Sequence, residues 1–171
     1  MATFARVCLL EGYEMKIGVT GHQQREGIDW RWVRSRIDRY LAGKSIIFGY
    51  SSLAAGADQI FADAVLDAGG TLIAVVPMED YPSQFKDEPL REYSRLLAKA
   101  QIVQLRSRKP DEGAFLDAGK WIARNVDCLV TVWDGEDAAG RGGTADIVVY
   151  AMALGRQVHH IDPIKRKTAD I

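Results

Sequence analysis

A chain of 171 residues, 47% hydrophobic and 26% charged, is long enough to bury one good core, and its proportions are those of an ordinary globular protein rather than a disordered or fibrous one. Its formal net charge of -1 lacks the basic field that general nucleic-acid binding needs. No apolar run approaches the roughly 20 residues of a membrane-spanning helix. The two cysteines, Cys8 and Cys128, form no CxxC pair and call for no oxidising compartment, so the expected location is the cytoplasm.

Residues 1–14 hold only the short apolar run Val7–Leu10, too brief for a signal-peptide core, and read as an N-terminal extension. Residues 15–163 alternate strand-like and helix-like segments. Lys16–Thr20 predicts a first strand. Asp29 caps a predicted helix through Leu41, with Trp30, Val33, Ile37, Tyr40 and Leu41 on one face. Ser45–Tyr50 predicts a second strand. The next helix opens at Gly56-Ala57-Asp58, repeats Ile60, Phe61, Ala64, Val65 and Ala68 at helical spacing, and stops at Gly69-Gly70. Thr71–Val76 is a third strand, ended by Pro77. A charged, partly helical insertion, Glu79–Ala100, precedes a short strand at Ile102–Leu105, and Asp111–Arg124 reads as a helix. The uninterrupted apolar stretch Cys128–Trp133 fits a strand covered on both faces, with Cys128 a buried free thiol. A glycine-rich loop, a helix over Thr144–Leu154 and a last strand over Gln157–Ile161 follow, and residues 164–171 form a basic, solvated tail.

This repetition predicts an α/β fold: a single Rossmann-like, doubly wound, mainly parallel sheet with helices on both faces. Ligands of such sheets lie beyond the carboxyl ends of the strands, where strand order reverses. That rule directs attention to the loops over residues 20–25, 50–58, 77–81 and 134–144.

The loop after the fifth strand carries the strongest chemistry. Gly135, Gly142 and Gly143 let the backbone come close to a ligand, and Thr144 suits the N-cap of the following helix. A helix N-terminus offers N–H groups and a partial positive charge, which suit phosphate. Arg141 in the loop and Arg124 at the end of the preceding helix are candidate phosphate partners, although Arg124 would equally complement its own helix C-terminus. After the first strand, Thr20-Gly21-His22-Gln23-Gln24-Arg25 is neither a GxGxxG fingerprint nor a P-loop. It reads either as polar side chains aimed over the sheet or as an ordinary turn. Ser51, Ser52 and Gly56 make a second loop-to-helix junction, with Ser51 or Ser52 a donor to phosphate or ribose. Asp58 fits the helix dipole with no ligand at all.

Cleavage of an N-glycosidic bond would need a carboxylate near the cationic sugar. Asp134 and Asp146 are the catalytic candidates, with Glu79 and Asp80 behind them, and Asp146 also suits a first helical turn on structural grounds alone. Neighbouring His159 and His160 point to opposite faces of their strand, and no spacing resembles a zinc site, so neither metal nor cofactor is expected. Trp121 or Trp133 would border the pocket and stack on a base; Trp30 and Trp32 need no role beyond packing.

Gly18-Val-Thr-Gly-His22, Ser51-Ser-Leu-Ala-Ala-Gly-Ala-Asp58, Asp127-Cys-Leu-Val-Thr-Val-Trp-Asp-Gly135 and Gly142-Gly-Thr-Ala-Asp146 together resemble the SLOG superfamily, over roughly residues 15–162. That group includes YpsA-like proteins, the DprA-like fold and the Lonely Guy phosphoribohydrolases. The resemblance implies a Rossmann-like domain for nucleotides or nucleotide derivatives. Some relatives hydrolyse the base–sugar bond of nucleoside monophosphates, others sense ligands, and many form homodimers or higher homo-oligomers. The hydrolytic branch carries Pro-Gly-Gly-x-Gly-Thr-x-x-Glu with a catalytic final Glu. Here that position is Ile147, and Asp146 stands one residue early, about 100° away around the helix. The Gly-Thr-Ala-x-Glu arrangement of nucleoside deoxyribosyltransferases fails at the same residue.

The leading expectation is therefore binding of a nucleotide or nucleotide-derived small molecule, as a ligand-sensing domain. The alternative is a phosphoribohydrolase-like N-glycosyl hydrolase acting on a nucleoside monophosphate or NAD-type substrate. A third reading is a protein-contact subunit with a vestigial pocket.

Overall fold

The computed structural model describes residues 14–23, 25–109, 111–136 and 143–171. Its elements run β1 (Glu14–Gly21), α1 (Trp30–Leu41), β2 (Ile46–Ser51), α2 (Ala57–Asp67), β3 (Thr71–Val76), a 3₁₀ turn (Tyr81–Gln84), α3 (Asp87–Leu97), β4 (Gln101–Gln104), α4 (Asp111–Asn125), β5 (Cys128–Val132), α5 (Thr144–Ala153), β6 (Gln157–Asp162) and β7 (Lys167–Asp170). The strands form one sheet in the order β4-β3-β2-β1-β5-β6-β7. Every pairing is parallel except β6 with β7. This is the α/β, Rossmann-like architecture that the alternation predicts.

Local chemistry sets the element ends. The Asp29 carboxylate caps α1, accepting from the amides of Arg31 and Trp32 at 3.1 Å each. Val33, Ile37 and Leu41, one turn apart, are its buried stripe. The charged insertion is partly helical as expected, its helix α3 anchored by buried Tyr93 and Leu96. One departure from the sequence reading stands out. The expected solvated tail instead turns at residues 163–166 and returns as β7, paired antiparallel to β6 from Asp162↔Lys167 to His159↔Asp170. All four β7 residues are exposed, so no apolar alternation announces this edge strand.

Helices cover both faces. One face packs Ile17, Val19, Val130, Val132 and Ile161 against Val33, Ile37, Phe61 and Val65 of α1 and α2, and β3 against α3. The other packs Val75, Leu129 and Val158 against Ile122 of α4 and Ile147, Val148 and Ala151 of α5. The chain leaves β1 toward β2, β3 and β4, and leaves β5 toward β6 and β7. Strand order thus reverses between β1 and β5, which pair from Ile17↔Cys128 to Gly21↔Val132. Their carboxyl ends form the crevice where such folds hold ligands.

Candidate functional site

Thr20 and Gly21 end β1, and His22 continues its ladder by donating its amide to Val132 O at 3.0 Å. Asp134 follows β5 and is only 4% exposed. His22 Nε2 lies 3.1 Å from Asp134 Oδ1. The Asp134 amide also points at this nitrogen, at 3.4 Å, so the tautomer decides whether Nε2 donates to the carboxylate or accepts from the amide. The Glu136 amide donates to Asp134 Oδ1 at 3.2 Å, a turn that Gly135 permits with φ +87°. Arg25 Nη2 stands 2.5 Å from Asp134 Oδ2. Burial alone would raise the Asp134 pKa, but the Glu136 amide, His22 and Arg25 together hold it below the usual carboxylate range. The two candidate residues, 112 positions apart, therefore meet. They form a clamp tying the β1–α1 loop to the end of β5, in which Oδ1 takes the hydrogen bonds and Oδ2, buried without a hydrogen-bond partner, faces Arg25 as an ion pair.

The second junction, Ser51 to Gly56, is closed on itself. Ser51 is fully buried; its hydroxyl donates toward Asp58 Oδ2 at 3.2 Å and accepts from the Leu53 amide at 2.9 Å. The Ser52 amide donates to Asp58 Oδ2 at 3.1 Å. Ala57 N–H donates to His22 O at 3.1 Å and Gln59 N–H to Ala54 O at 3.2 Å. Gly56 has φ +84°, and a Cβ there would stand 2.2 Å from Gln23 O. Its glycine serves contact between two loops rather than approach to a ligand. Burial pushes the Asp58 pKa up to about 7 against the hydrogen bonds from Ser51, Ala54 and Ser52.

The third junction leads into α5. The sequence makes Thr144 the N-cap; the structure puts Gly143 in the capping position and Thr144 first in the helix, with no side-chain cap. The Ile147 amide returns to Gly143 O at 3.4 Å. Arg141 and Gly142 lie outside the described residues. Asp146 is exposed in the first turn. Ile147 is 2% exposed and packs on α4, where a Cβ at Gly119 would stand 2.5 Å from its Cδ1. The position that is Glu in the hydrolytic motif is here a core contact between two helices.

Arg124 does not join the site. It ends α4 at the amino edge of the sheet, where its guanidinium donates to the Tyr150 hydroxyl at 3.2 Å. Arg156 covers that helix end, donating to Ala123 O and Arg124 O at 3.1 and 2.9 Å. Trp121 tilts against Tyr50 at 6.3 Å. Trp133 donates its indole N–H to Glu136 O at 2.7 Å and stands 5.6 Å from the His160 ring. His159 stacks on Tyr40 at 4.1 Å and meets Asp170, while His160 contacts Trp133 O, so the pair do face apart. No group of three metal-ligating side chains occurs among the described residues. Among the described residues, no helix is long and apolar enough to cross a membrane.

A groove of about 440 Å³ also runs over α2 between α1 and α3, lined by Trp30, Ile60, Pro89, Arg34, Asp63 and Glu92 among others. Its charges are matched within it and at its rim: Arg34 to Asp63 at 2.7 Å, and Arg95 to Asp63 and Glu92. Sequence reasoning placed Arg25 in the loop after β1 but did not pair it with Asp134. It left out Thr131, a hydroxyl inside an otherwise apolar strand.

These features define an α/β domain with its topological switch point between β1 and β5. No protein-family model matches the sequence, and no curated protein sequence matches it. Among solved structures the chain is similar to DNA processing protein A from Streptococcus pneumoniae, at 21% identity and TM-score 0.63 over 87% of this chain and 50% of that one. It is similar also to DNA processing protein A from Helicobacter pylori, described by its single-stranded DNA binding mode, at 15% identity and TM-score 0.60 over 86% of this chain and 65% of that one. A third is the molybdenum cofactor binding protein from Rippkaea orientalis, at 13% identity and TM-score 0.54 over 86% and 76%. The chain spans half the length of the first and 65% of the second. At these identities the likeness is one of fold alone.

Proposed function

We propose that this domain binds a nucleotide or nucleotide-derived small molecule and reports its presence, with the phosphate received at the N-terminus of α5. The observation that carries this reading is the contrast at the carboxyl edge of the sheet. Both helices begin at a glycine with no side-chain cap, but the Ala57 and Gln59 amides of α2 donate to His22 O and Ala54 O, whereas at α5 the Thr144 and Ala145 amides find no acceptor among the described residues. An uncapped helix start presents N–H groups and partial positive charge to an anion. We take Thr20, Gly21, Gly135, Gly143 and Thr144 as the residues of this site among those described. Neighbours of the same fold include a molybdenum cofactor binding protein and a single-stranded DNA binder, which supports the fold as a scaffold for binding. Net charge -1 favours a small ligand over a nucleic-acid strand.

Hydrolysis has less support. Ile147 lies in the helix interface, and Asp134 is committed to His22, Glu136 and Arg25. A homodimer is the accompanying proposal, supported by exposed Val149 and Met152 on α5.

The test incubates the purified protein with nucleoside monophosphates, NAD and ADP-ribose, ultrafilters it, and identifies retained and converted compounds by mass spectrometry. An intact compound held by the protein is expected. Free base with a matching sugar phosphate would overturn the binding-only reading and make the protein a hydrolase. Retention of nothing would overturn the ligand reading altogether.

A further inference from the structure

Every residue of β5 is buried, and Cys128, Leu129, Val130 and Val132 are the apolar or weakly polar fillers that a doubly covered parallel strand requires. Thr131 is the exception. It is fully buried, and its Oγ1 has no hydrogen-bond partner. Such a hydroxyl carries its full desolvation penalty with no compensating bond. Valine has the same branched shape, fills the same volume and carries no such penalty. A stability-driven strand would have valine here, as it does at 130 and 132.

The register shows what surrounds this hydroxyl. Thr131 stands between Thr20 of β1 and His160 of β6. Side chains alternate along a strand, and Leu129 packs with Ile147 and Val148 of α5, so Thr131 faces α5 as well. Val130 and Val132 belong to the core beneath α1 and α2. Thr144 extends the buried stripe Ile147, Val148, Ala151 by one turn, onto the same face. Below the strand ends, the α5 side therefore gathers Thr20, Thr131, His160 and Thr144, while the α1 side is lined by Val19, Val130, Val132 and Ile161. His160 Nε2 is already engaged by Trp133 O at 2.7 Å. On the α1 side His159 is stacked on Tyr40 and paired with Asp170, so the unpartnered hydroxyl of Thr131 is what distinguishes the α5 side.

We propose that Thr131 is a ligand-binding residue whose hydroxyl is completed by a phosphate oxygen of the ligand seated at the start of α5. Thr20 and Thr144 flank it. The inference rests on the phosphate reading of that junction and adds its floor. A site built this way favours a compact tetrahedral oxyanion: helix amides bind it from one side and hydroxyl donors from the sheet side.

The full-length chain and its Thr131→Val and Thr131→Ser variants are tested by thermal melting and by calorimetry with adenosine 5′-monophosphate and with inorganic phosphate. Thr131→Val is expected to melt at the wild-type temperature or a few degrees above it, because an orphan hydroxyl has gone. The same variant is expected to bind both probes at least tenfold more weakly. Thr131→Ser, which keeps the hydroxyl, is expected to stay within about threefold of wild type. Unchanged affinity of Thr131→Val in a protein whose wild type binds would overturn the assignment and leave the phosphate site standing. Melting several degrees lower, with serine failing to restore binding, would make Thr131 a packing residue and also overturn it. Wild type binding neither probe would overturn the phosphate reading first, and Thr131 with it.

Discussion

Two helices start from glycine-bearing loops at the carboxyl edge of this sheet, and they are in opposite states. At α2 the loop folds around the Asp58 carboxylate, Ser51 is buried, and the helix amides find His22 O and Ala54 O. At α5, which like α2 begins at a glycine with no side-chain cap, the Thr144 and Ala145 amides find no acceptor among the described residues, and an unsatisfied threonine hydroxyl lies on the adjoining face of β5. Glycine, serine, threonine and aspartate are common to both junctions. The difference lies in where the donors are spent. A loop that satisfies its own groups is a structural joint, and one that leaves them open is a place for a ligand.

The comparison breaks most visibly at Gly56. Alanine there meets Gln23 O at 2.2 Å with a backbone that disfavours any side chain, so Gly56→Ala is expected to destabilise the fold by about 3–4 kcal/mol, read from denaturant melts. The folded fraction keeps its ligand affinity. The opposite pattern is expected of Gly143→Val with Thr144→Ala: a melt near wild type and affinity for a phosphate-bearing ligand reduced roughly 100-fold, about 2.8 kcal/mol. Ser52→Ala, by contrast, changes affinity less than about twofold, because that serine is held to Asp58 through its backbone amide.

Asp134→Ala tests the clamp. It strands His22 and the half-exposed Arg25, and a loss of about 2 kcal/mol is expected by urea denaturation. The last effect is a slope with pH. The folded-state pKa of Asp58, about 7, lies above its unfolded value. Between roughly pH 4 and 7 the native state therefore holds a proton that the unfolded chain has lost. This stabilisation is complete below the unfolded value and disappears as pH rises through 7, at up to about 1.4 kcal/mol per pH unit. Asp58→Asn is expected to flatten that stretch of the stability profile. Asp134 acts with the opposite sign. Its lowered pKa gives a stabilisation present above the ordinary carboxylate range and lost as pH falls through the depressed value.

Strand–helix alternation made most of this fold legible, because parallel strands buried on both faces read as unbroken apolar runs such as Cys128–Val132. β7 was not legible: its four exposed residues pair only through the backbone. Within the site, the rule of strand ends located Thr20, His22, Asp134 and Thr144, but not that His22 and Asp134 touch across 112 residues. Nearness in sequence misled for Arg124. It precedes β5 by four residues, yet a helix antiparallel to its strands ends at the far edge of the sheet. Ser51 carried the right chemistry for a phosphate donor, and only its burial against Asp58 shows that the hydroxyl is already used. Residue type announces what a group can do; the partners it has already found decide whether it is available.

The central claim is that the start of α5, not the start of α2, receives the ligand. An amide-resolved NMR titration of the ¹⁵N-labelled protein with the compound retained in the ultrafiltration screen tests it most directly. Binding at α5 predicts the largest shifts at Gly143, Thr144 and Ala145 and at Thr20 and Gly21 across the crevice, with Ala57, Asp58 and Gln59 nearly still. Large shifts at Ala57 to Gln59 with Gly143 to Ala145 unmoved would contradict it.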